Sequence, residues 1–199
     1  MDYVNLAEQV IKRIFVELEA SGRHVHVTKE QALTLFGHSL TPKRELSQPG
    51  QFLANERLTV IGPKGELANV AVLGPERSAG QVELSLTDAR HLGVSAPVRL
   101  SGDIKNTPGA TLKSEKGTVV LPEGVIVARR HIHITPEDAN RLGVKDKQVV
   151  RLQTFTDRPL TFGDVVVRVS PEFQTYVHLD YDEANACGFK AGDLGRILL

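Results

Sequence analysis

Apolar and polar residues alternate in four short stretches of the chain, and each alternation precedes the signals of a short helix. Alternation with a period of two is typical of a half-buried β-strand. Thr, Pro, Asp or Glu then stands where a helix would begin, and a glycine stands where it would end. The pattern therefore predicts four repeats of a strand followed by a capped helix. These repeats are RHVHVTKEQALTLFG, QVELSLTDARHLG, RRHIHITPEDANRLG and YVHLDYDEANACG.

Each repeat places a potential metal ligand at the same point of its strand. Counting back six residues from an alanine near each helix start reaches a histidine or a glutamate. The first and third repeats add a histidine two residues earlier, which lies on the same face of a strand. A lone HxH pair or glutamate is more often an ordinary polar feature, but the shared register favours metal binding. The candidate ligands are His24, His26, Glu83, His131, His133 and His178.

The segments between the repeats predict further strands. Runs rich in valine and leucine, such as LTVIG, GTVVL and DVVVRVS, are separated by turn signals that contain glycine and proline. Many short strands at close spacing indicate a mainly β fold, built as barrels or sandwiches with only brief helices. Because the HxH motif occurs in both halves of the chain, we expect two related β domains with the site between them.

The N-terminal residues predict a short amphipathic helix that leads into a strand. Val4, Ala7, Val10, Ile11 and Ile14 recur at helical spacing. Apolar and acidic residues then alternate from residue 16 to residue 20, as expected for a strand.

Composition narrows the range of functions. The 199 residues include 24 basic and 24 acidic side chains, so no long-range field attracts nucleic acid or anionic lipid. No run approaches the ~20 apolar residues of a membrane span, and the N-terminus lacks the apolar core of a secretory signal. The single cysteine, Cys187, excludes an intrachain disulfide framework and a thiolate-rich zinc site. We therefore expect a cytoplasmic protein with neither nucleic-acid nor membrane partners.

Two other interpretations of the histidines remain open at this point. His24, His26 and Glu30, followed by Gly37, have the spacing of a cupin's first metal motif, which would indicate a single-metal enzyme. Cupins place this glutamate on a strand, whereas KEQALTLF predicts a helix that turns Glu30 away. The other interpretation is a non-catalytic, zinc-stabilised scaffold of a microcompartment, although closed structural zinc sites favour thiolate ligands.

Several ordered blocks resemble the PduL-type phosphate propanoyltransferases. They include RHVHV, TVIGPKG, VLGPERS, QVELSLTDAR and GVIVARRHIHITPEDANRLGV, and the resemblance extends from about Arg13 to Leu199. It implies a phosphotransacylase, which interconverts a short-chain acyl-CoA (propanoyl-CoA or acetyl-CoA) and orthophosphate with acyl phosphate and free CoA. It also implies two small β-barrels capped by short helices. The implied domains are a helix at residues 1–13, a discontinuous barrel of residues 14–22 and 129–199, and a second barrel of residues 23–128.

The resemblance also assigns roles to individual residues. One zinc ion would be held by His24, His26 and Glu83, and a second by His131, His133 and His178. Arg77 in VLGPERS matches a phosphate-contacting arginine, and Ser101 in SGD matches a serine near the site. Gly22 and Glu19 depart from the family, which usually has Asn and a small residue there.

The expected partners follow from this activity. They are acyl-CoA, orthophosphate and acyl phosphate, with a second copy of the chain or a microcompartment shell protein left open. Many relatives use an N-terminal helix as a microcompartment address, but here the helix could equally cap its own barrel.

Overall fold

The computed structural model describes Ile11 and residues 14–199 of the chain. Most of the N-terminal helix expected at residues 1–13 lies outside these described residues, so its role as an address or a cap stays a prediction. In chain order, the elements are β1 (Val16–Ser21), β2 (His24–His26), α1 (Lys29–Phe36), β3 (Pro42–Glu45), β4 (Phe52–Ile61), β5 (Glu66–Gly74), β6 (Gln81–Leu84), α2 (Leu86–Leu92), β7 (Val98–Arg99), β8 (Ala110–Lys113), β9 (Thr118–Leu121), β10 (Val125–Ala128), β11 (His131–Ile134), α3 (Pro136–Leu142), β12 (Val149–Phe155), β13 (Thr161–Val169), β14 (Tyr176–Asp180), α4 (Tyr181–Cys187) and β15 (Leu194–Leu198).

The chain divides into two compact units, and the predicted mainly β fold is confirmed in both. The first unit combines β1 with the chain from Arg130 to Leu199, and the second runs from Gly22 to Arg129. Strands of the first unit form a closed barrel in the order β1-β14-β11-β13-β12-β15. The second unit is a nine-stranded half-barrel in the order β7-β10-β6-β2-β5-β4-β8-β9, with β3 paired to β4.

The four predicted strand–helix repeats are present with their capping residues. Each helix begins after a side chain that accepts a hydrogen bond from its first turn. Each ends at a glycine in the left-handed region, with φ between 64° and 78°, a conformation that costs a residue with a Cβ more than it costs glycine. The N-caps are Thr28, Ser85, Thr135 and Asp180, and the terminal glycines are Gly37, Gly93, Gly143 and Gly188.

Alternation along the strands separates an apolar core from a polar face in each unit. In the barrel, Leu18, Ile132 and Val177 belong to one buried cluster. In the half-barrel, Val25 and Val82 belong to another. Side chains one position away along these strands point to the opposite face of the sheet. The candidate metal ligands occupy this opposite face in both units. In the described part of the chain, no helix combines the length and apolar composition needed to cross a bilayer.

Candidate metal centres

His24, His26 and Glu83 come together on neighbouring strands of the half-barrel and form what we call the first centre. Strands β2 and β6 are antiparallel, with His24 directly opposite Glu83. Oε1 of Glu83 lies 3.6 Å from Nε2 of His24 and 3.7 Å from Nε2 of His26. All three side chains are buried, with 6%, 2% and 6% of their surfaces exposed. The first centre thus presents two nitrogens and one oxygen to a common point away from water.

The backbone fixes which nitrogen of each histidine faces this point. Nδ1 of His24 lies 2.7 Å from the Gly22 carbonyl oxygen, and Nδ1 of His26 lies 3.2 Å from the Leu73 carbonyl oxygen. Because a carbonyl oxygen can only accept, each Nδ1 carries the hydrogen. In the neutral ring, the lone pair is then on Nε2, the nitrogen that faces Glu83. This arrangement would present Nε2 of both histidines to a bound metal.

The two histidines and the glutamate of the first centre shift one another's pKa values. Burial opposes a charge on His24, but the Glu83 carboxylate outweighs burial and raises the pKa of His24. Burial, together with the charges of His24 and Arg77, lowers the pKa of His26 to about 4. Burial also opposes ionisation of Glu83, yet the two histidines hold the pKa of this carboxyl well below its ordinary value. Glu83 is therefore an ionised carboxylate, the form in which it could bind a divalent cation.

A hydrogen-bond network joins Glu83 to Arg77 and Ser101. Ser101 donates to Oε1 of Glu83 at 2.7 Å and accepts from Nη1 of Arg77 at 3.1 Å. The backbone N–H of Arg77 donates to the Val27 carbonyl oxygen just beyond β2. The structure thus brings both predicted residues, Arg77 and Ser101, beside the first centre and places a permanent positive charge next to it.

Gln81 is a further member of this network that the sequence analysis did not identify. Its Nε2 donates to Oε1 of Glu83 at 2.5 Å and to Ser101 Oγ at 3.0 Å, while its Oε1 accepts from the Gly102 N–H at 2.8 Å. Only 2% of its surface is exposed. Gln81 precedes Glu83 by two residues, the same spacing as within each HxH pair, and this spacing was the available signal.

His131, His133 and His178 come together in the barrel and form what we call the second centre. Strands β11 and β14 are antiparallel, with His131 directly opposite His178. Ring centroids lie 4.6 Å apart between His131 and His133, 4.6 Å between His133 and His178, and 4.9 Å between His131 and His178. His131 and His133 are each 8% exposed. The second centre offers three imidazole nitrogens.

The donor sets of both centres fit a zinc ion. Within each group, the ligand atoms lie within 4.8 Å of one another. Tetrahedral zinc with bonds of about 2.0–2.1 Å requires donors roughly 3.3 Å apart, so small side-chain rotations suffice. Three protein donors of nitrogen and oxygen, with no thiolate, are typical of zinc sites that keep a position open for water or substrate.

The other candidates raised by the sequence lie away from both centres. Glu30, which the cupin interpretation required beside His24 and His26, is exposed in the first turn of α1. Cys187 is fully buried in α4, its thiol donates to the Ala184 carbonyl oxygen, and burial raises its pKa. A buried thiol with a raised pKa is a packing residue, as the sequence predicted.

Comparison with known families decides between the remaining hypotheses. The model of the phosphate propanoyltransferase family matches residues 17–190. The chain belongs to the phosphate propanoyltransferase family. It is accordingly a transferase enzyme. The matched range contains all six candidate ligands together with Arg77 and Ser101.

Similarity to individual members of the phosphate propanoyltransferase family covers nearly the whole chain. The chain is 53% identical to the phosphate propanoyltransferase of Enterococcus faecalis, over 100% of its own length and 98% of that protein. It is 54% identical to that of Listeria monocytogenes, over 98% and 94% of the two chains. It is 57% identical to that of Leptotrichia buccalis, over 90% and 86%.

Proposed function

We propose that this chain catalyses reversible transfer of a short acyl group, propanoyl or acetyl, between CoA and orthophosphate, with two zinc ions per chain. An oxygen of orthophosphate attacks the thioester carbonyl carbon, the C–S bond breaks, and the electron pair leaves with the CoA sulfur. The phosphate proton passes to the departing thiolate or to solvent. The products are acyl phosphate and CoA, so atoms and charges balance in either direction.

One arrangement carries this proposal, namely the link from Arg77 through Ser101 to Glu83 in the first centre. The planar guanidinium of Arg77 matches two oxygens of a phosphate and stays charged at every relevant pH. Ser101 ties this cation to a ligand of the centre at hydrogen-bond distance. A phosphate held by Arg77 would therefore lie beside the metal ligands, which is where the attack requires it.

The residues of each centre have distinct roles in this proposal. His24, His26 and Glu83 would hold one zinc ion, and His131, His133 and His178 the other. Bound zinc supplies Lewis-acid chemistry, which polarises a carbonyl oxygen and stabilises a departing thiolate. The carbonyl oxygens of Gly22 and Leu73 keep the two histidines of the first centre in the ligating tautomer. Gln81 and Ser101 fix the orientation of the Glu83 carboxylate.

Transfer without an acyl-enzyme intermediate fits the side chains present. Cys187, the single thiol, is buried and has a raised pKa, so it is a poor nucleophile. In the described residues, the hydroxyl of Ser101 is engaged by Arg77, Gln81 and Glu83. Orthophosphate itself is then the attacking group.

A coupled assay tests the proposed function. Zinc-replete protein is mixed with propanoyl-CoA, acetyl-CoA or butanoyl-CoA, and both the free thiol and the acyl phosphate are measured. We expect equal amounts of the two products, and none when orthophosphate is omitted. Thiol release without acyl phosphate would indicate a thioesterase instead. Failure to form either product with any of the three thioesters would contradict the proposal.

A further inference from the structure

Glu19 lies beside the second centre. It is on β1, the strand that pairs with β14, which carries His178. Strands β1 and β14 are parallel, and Glu19 is directly opposite His178 in their register. Oε2 of Glu19 is 3.3 Å from Nδ1 of His178. Leu18 and Val177, one position earlier on each strand, point into the barrel core. Glu19 and His178 consequently share the outer face of the barrel, where the ligands lie.

This contact reaches the nitrogen of His178 on the side away from the other ligands. Strand β14 lies between β1 and β11, so Glu19 flanks His178 on one side and His131 flanks it on the other. An ionised carboxylate can only accept a hydrogen bond, so the contact favours the tautomer with a hydrogen on Nδ1. The lone pair of the neutral ring is then on Nε2. A metal at the second centre would bind that nitrogen.

The half-barrel has no carboxylate at the position that corresponds to Glu19. There β10 occupies the place that β1 has in the barrel, since β10 is parallel to β6 just as β1 is parallel to β14. The residue opposite Glu83 is the fully buried Ile126, where Glu19 stands opposite His178. The first centre therefore contains its carboxylate as a ligand, and the second has a carboxylate next to a ligand.

Charge balance gives this difference a physical role. A dication bound by two neutral imidazoles and Glu83 has a net charge of +1, but three neutral imidazoles leave +2. The negative charge of Glu19 would lower the net charge of the second centre from +2 to +1. This carboxylate would be separated from the metal by the imidazole ring of His178. A carboxylate behind a ligating histidine also orients the ring and raises its basicity.

We propose that Glu19 is a positioning residue of the second centre, which acts by accepting a hydrogen bond from Nδ1 of His178 and directing Nε2 to the metal. This inference rests on the proposed function, because it assumes that the second centre binds zinc. Its effect is on metal affinity, so it can be tested without measuring turnover.

Zinc affinity of Glu19 variants provides the test. Apparent affinities of the two bound ions are measured by competition with a chromogenic chelator for the wild type, Glu19→Ala, Glu19→Gln and Glu17→Ala. We expect Glu19→Ala to lower the affinity for one of the two zinc ions by about 10- to 100-fold, the usual effect of losing a residue that hydrogen-bonds a metal ligand. Glu19→Gln should lose less than Glu19→Ala but should not match the wild type, since its amide oxygen can accept the same hydrogen bond but carries no charge. Glu17→Ala is the matched control, because it removes the same charge from the same face of β1, while Glu17 is exposed and forms its hydrogen bond with Tyr176 and not with a histidine of the centre.

Two further measurements assign the effect to His178. Adding Glu19→Ala to a His24→Ala chain should lower the affinity for the zinc ion that remains. Adding it to a His178→Ala chain should leave the affinity for the remaining ion unchanged. Long-range ¹H–¹⁵N spectra of the zinc-loaded wild type should show His178 protonated on Nδ1. Two zinc ions whose affinities are the same in Glu19→Ala and in the wild type would overturn the inference and leave the proposed function standing. A Glu19→Gln chain as weak as Glu19→Ala would also overturn it. A wild-type chain that binds no zinc would instead contradict the proposed function.

Discussion

The Ser101 hydroxyl donates a 2.7 Å hydrogen bond to Oε1 of Glu83, the same oxygen that faces Nε2 of His24 and of His26. Ser101 stands on the loop after β7, whereas Glu83 stands on β6. A polar residue of the loop is thereby coupled directly to a candidate metal ligand. Since Arg77 donates to the same hydroxyl, movement of the arginine and orientation of the carboxylate are linked.

Ser101→Ala should lower kcat/KM while zinc content stays at the wild-type level. The substitution removes a hydrogen bond to a charged group, which is worth about 1.5–3 kcal/mol, so a loss of roughly 10- to 100-fold is expected. Steady-state kinetics and elemental analysis on the same preparation measure both quantities. Ser78→Ala, at an exposed serine next to Arg77, is the control and should have wild-type kinetics.

Arg77→Ala should raise the KM for orthophosphate or reduce kcat, with the fold and zinc content unchanged. Loss of a charge-assisted contact with phosphate predicts a decrease in kcat/KM on the order of 10- to 100-fold. Arg77→Lys should recover only part of it, because an ammonium lacks the planar fork. Arg44→Ala, at an exposed arginine of β3, is the matched control. Unaltered kinetics of Arg77→Ala in both directions would remove Arg77 from the site.

Metal content should respond separately at the two centres. We expect two zinc ions per gently purified chain, and one each for His24→Ala and for His178→Ala. The reason is that each substitution leaves only two protein donors at its centre, too few for the tetrahedral sites that zinc prefers. His38→Ala removes a histidine that is exposed and lies in neither group, so it should keep both ions. Elemental analysis that finds one ion or none in the wild type, even after zinc is added back, would refute the prediction.

Stability should depend on pH through Asp138 in the first turn of α3. Burial opposes ionisation of Asp138, but the Thr175 hydroxyl and the Arg141 guanidinium outweigh burial and lower its pKa. A lowered pKa stabilises the fold at pH values above that of the unfolded aspartate, about 3.8, and this stabilisation disappears as the pH falls through the folded value. Asp138→Asn should therefore reduce the free energy of unfolding at pH 7 by on the order of 1 kcal/mol, a figure kept small because the side chain is partly exposed.

Denaturant unfolding of Asp138→Asn at several pH values checks this prediction. The difference from the wild type should be full at pH 7 and should shrink below about pH 4. Glu137→Gln, at an exposed carboxylate in the same helical turn, controls for the general effect of negative charge near a helix start. A deficit that is constant from pH 7 to pH 3 would show that Asp138 contributes through packing.

The strand–helix repeats could be predicted from the sequence because their signals are local. Each cap, helix and terminal glycine lies within a dozen residues, and the structure confirms all four helices. The grouping of His24 and His26 also follows from the two-residue period of a strand. For the same reason, Gln81 could have been identified, because it shares a face with Glu83.

Features that depend on which strands become neighbours could not be predicted in this way. Glu19 was noted only as an unusual residue, and its contact with His178 arises from the pairing of β1 with β14, two segments near opposite ends of the chain. Likewise, local alternation does not show whether a sheet closes. The barrel closes because β1 also pairs with β15, whereas the half-barrel ends at β7 and β9.

The position of β1 has a consequence for how the protein is made. Its two neighbours, β14 and β15, are synthesised more than 150 residues later, so both edges of β1 stay unpaired until then. The half-barrel is one uninterrupted segment and can fold while translation continues. On the nascent chain, His24, His26 and Glu83 can therefore meet once Glu83 has been made, but Glu19 and His178 can meet only after a further 95 residues have been added. The two centres of one polypeptide would thus become able to bind a metal at different stages of its synthesis.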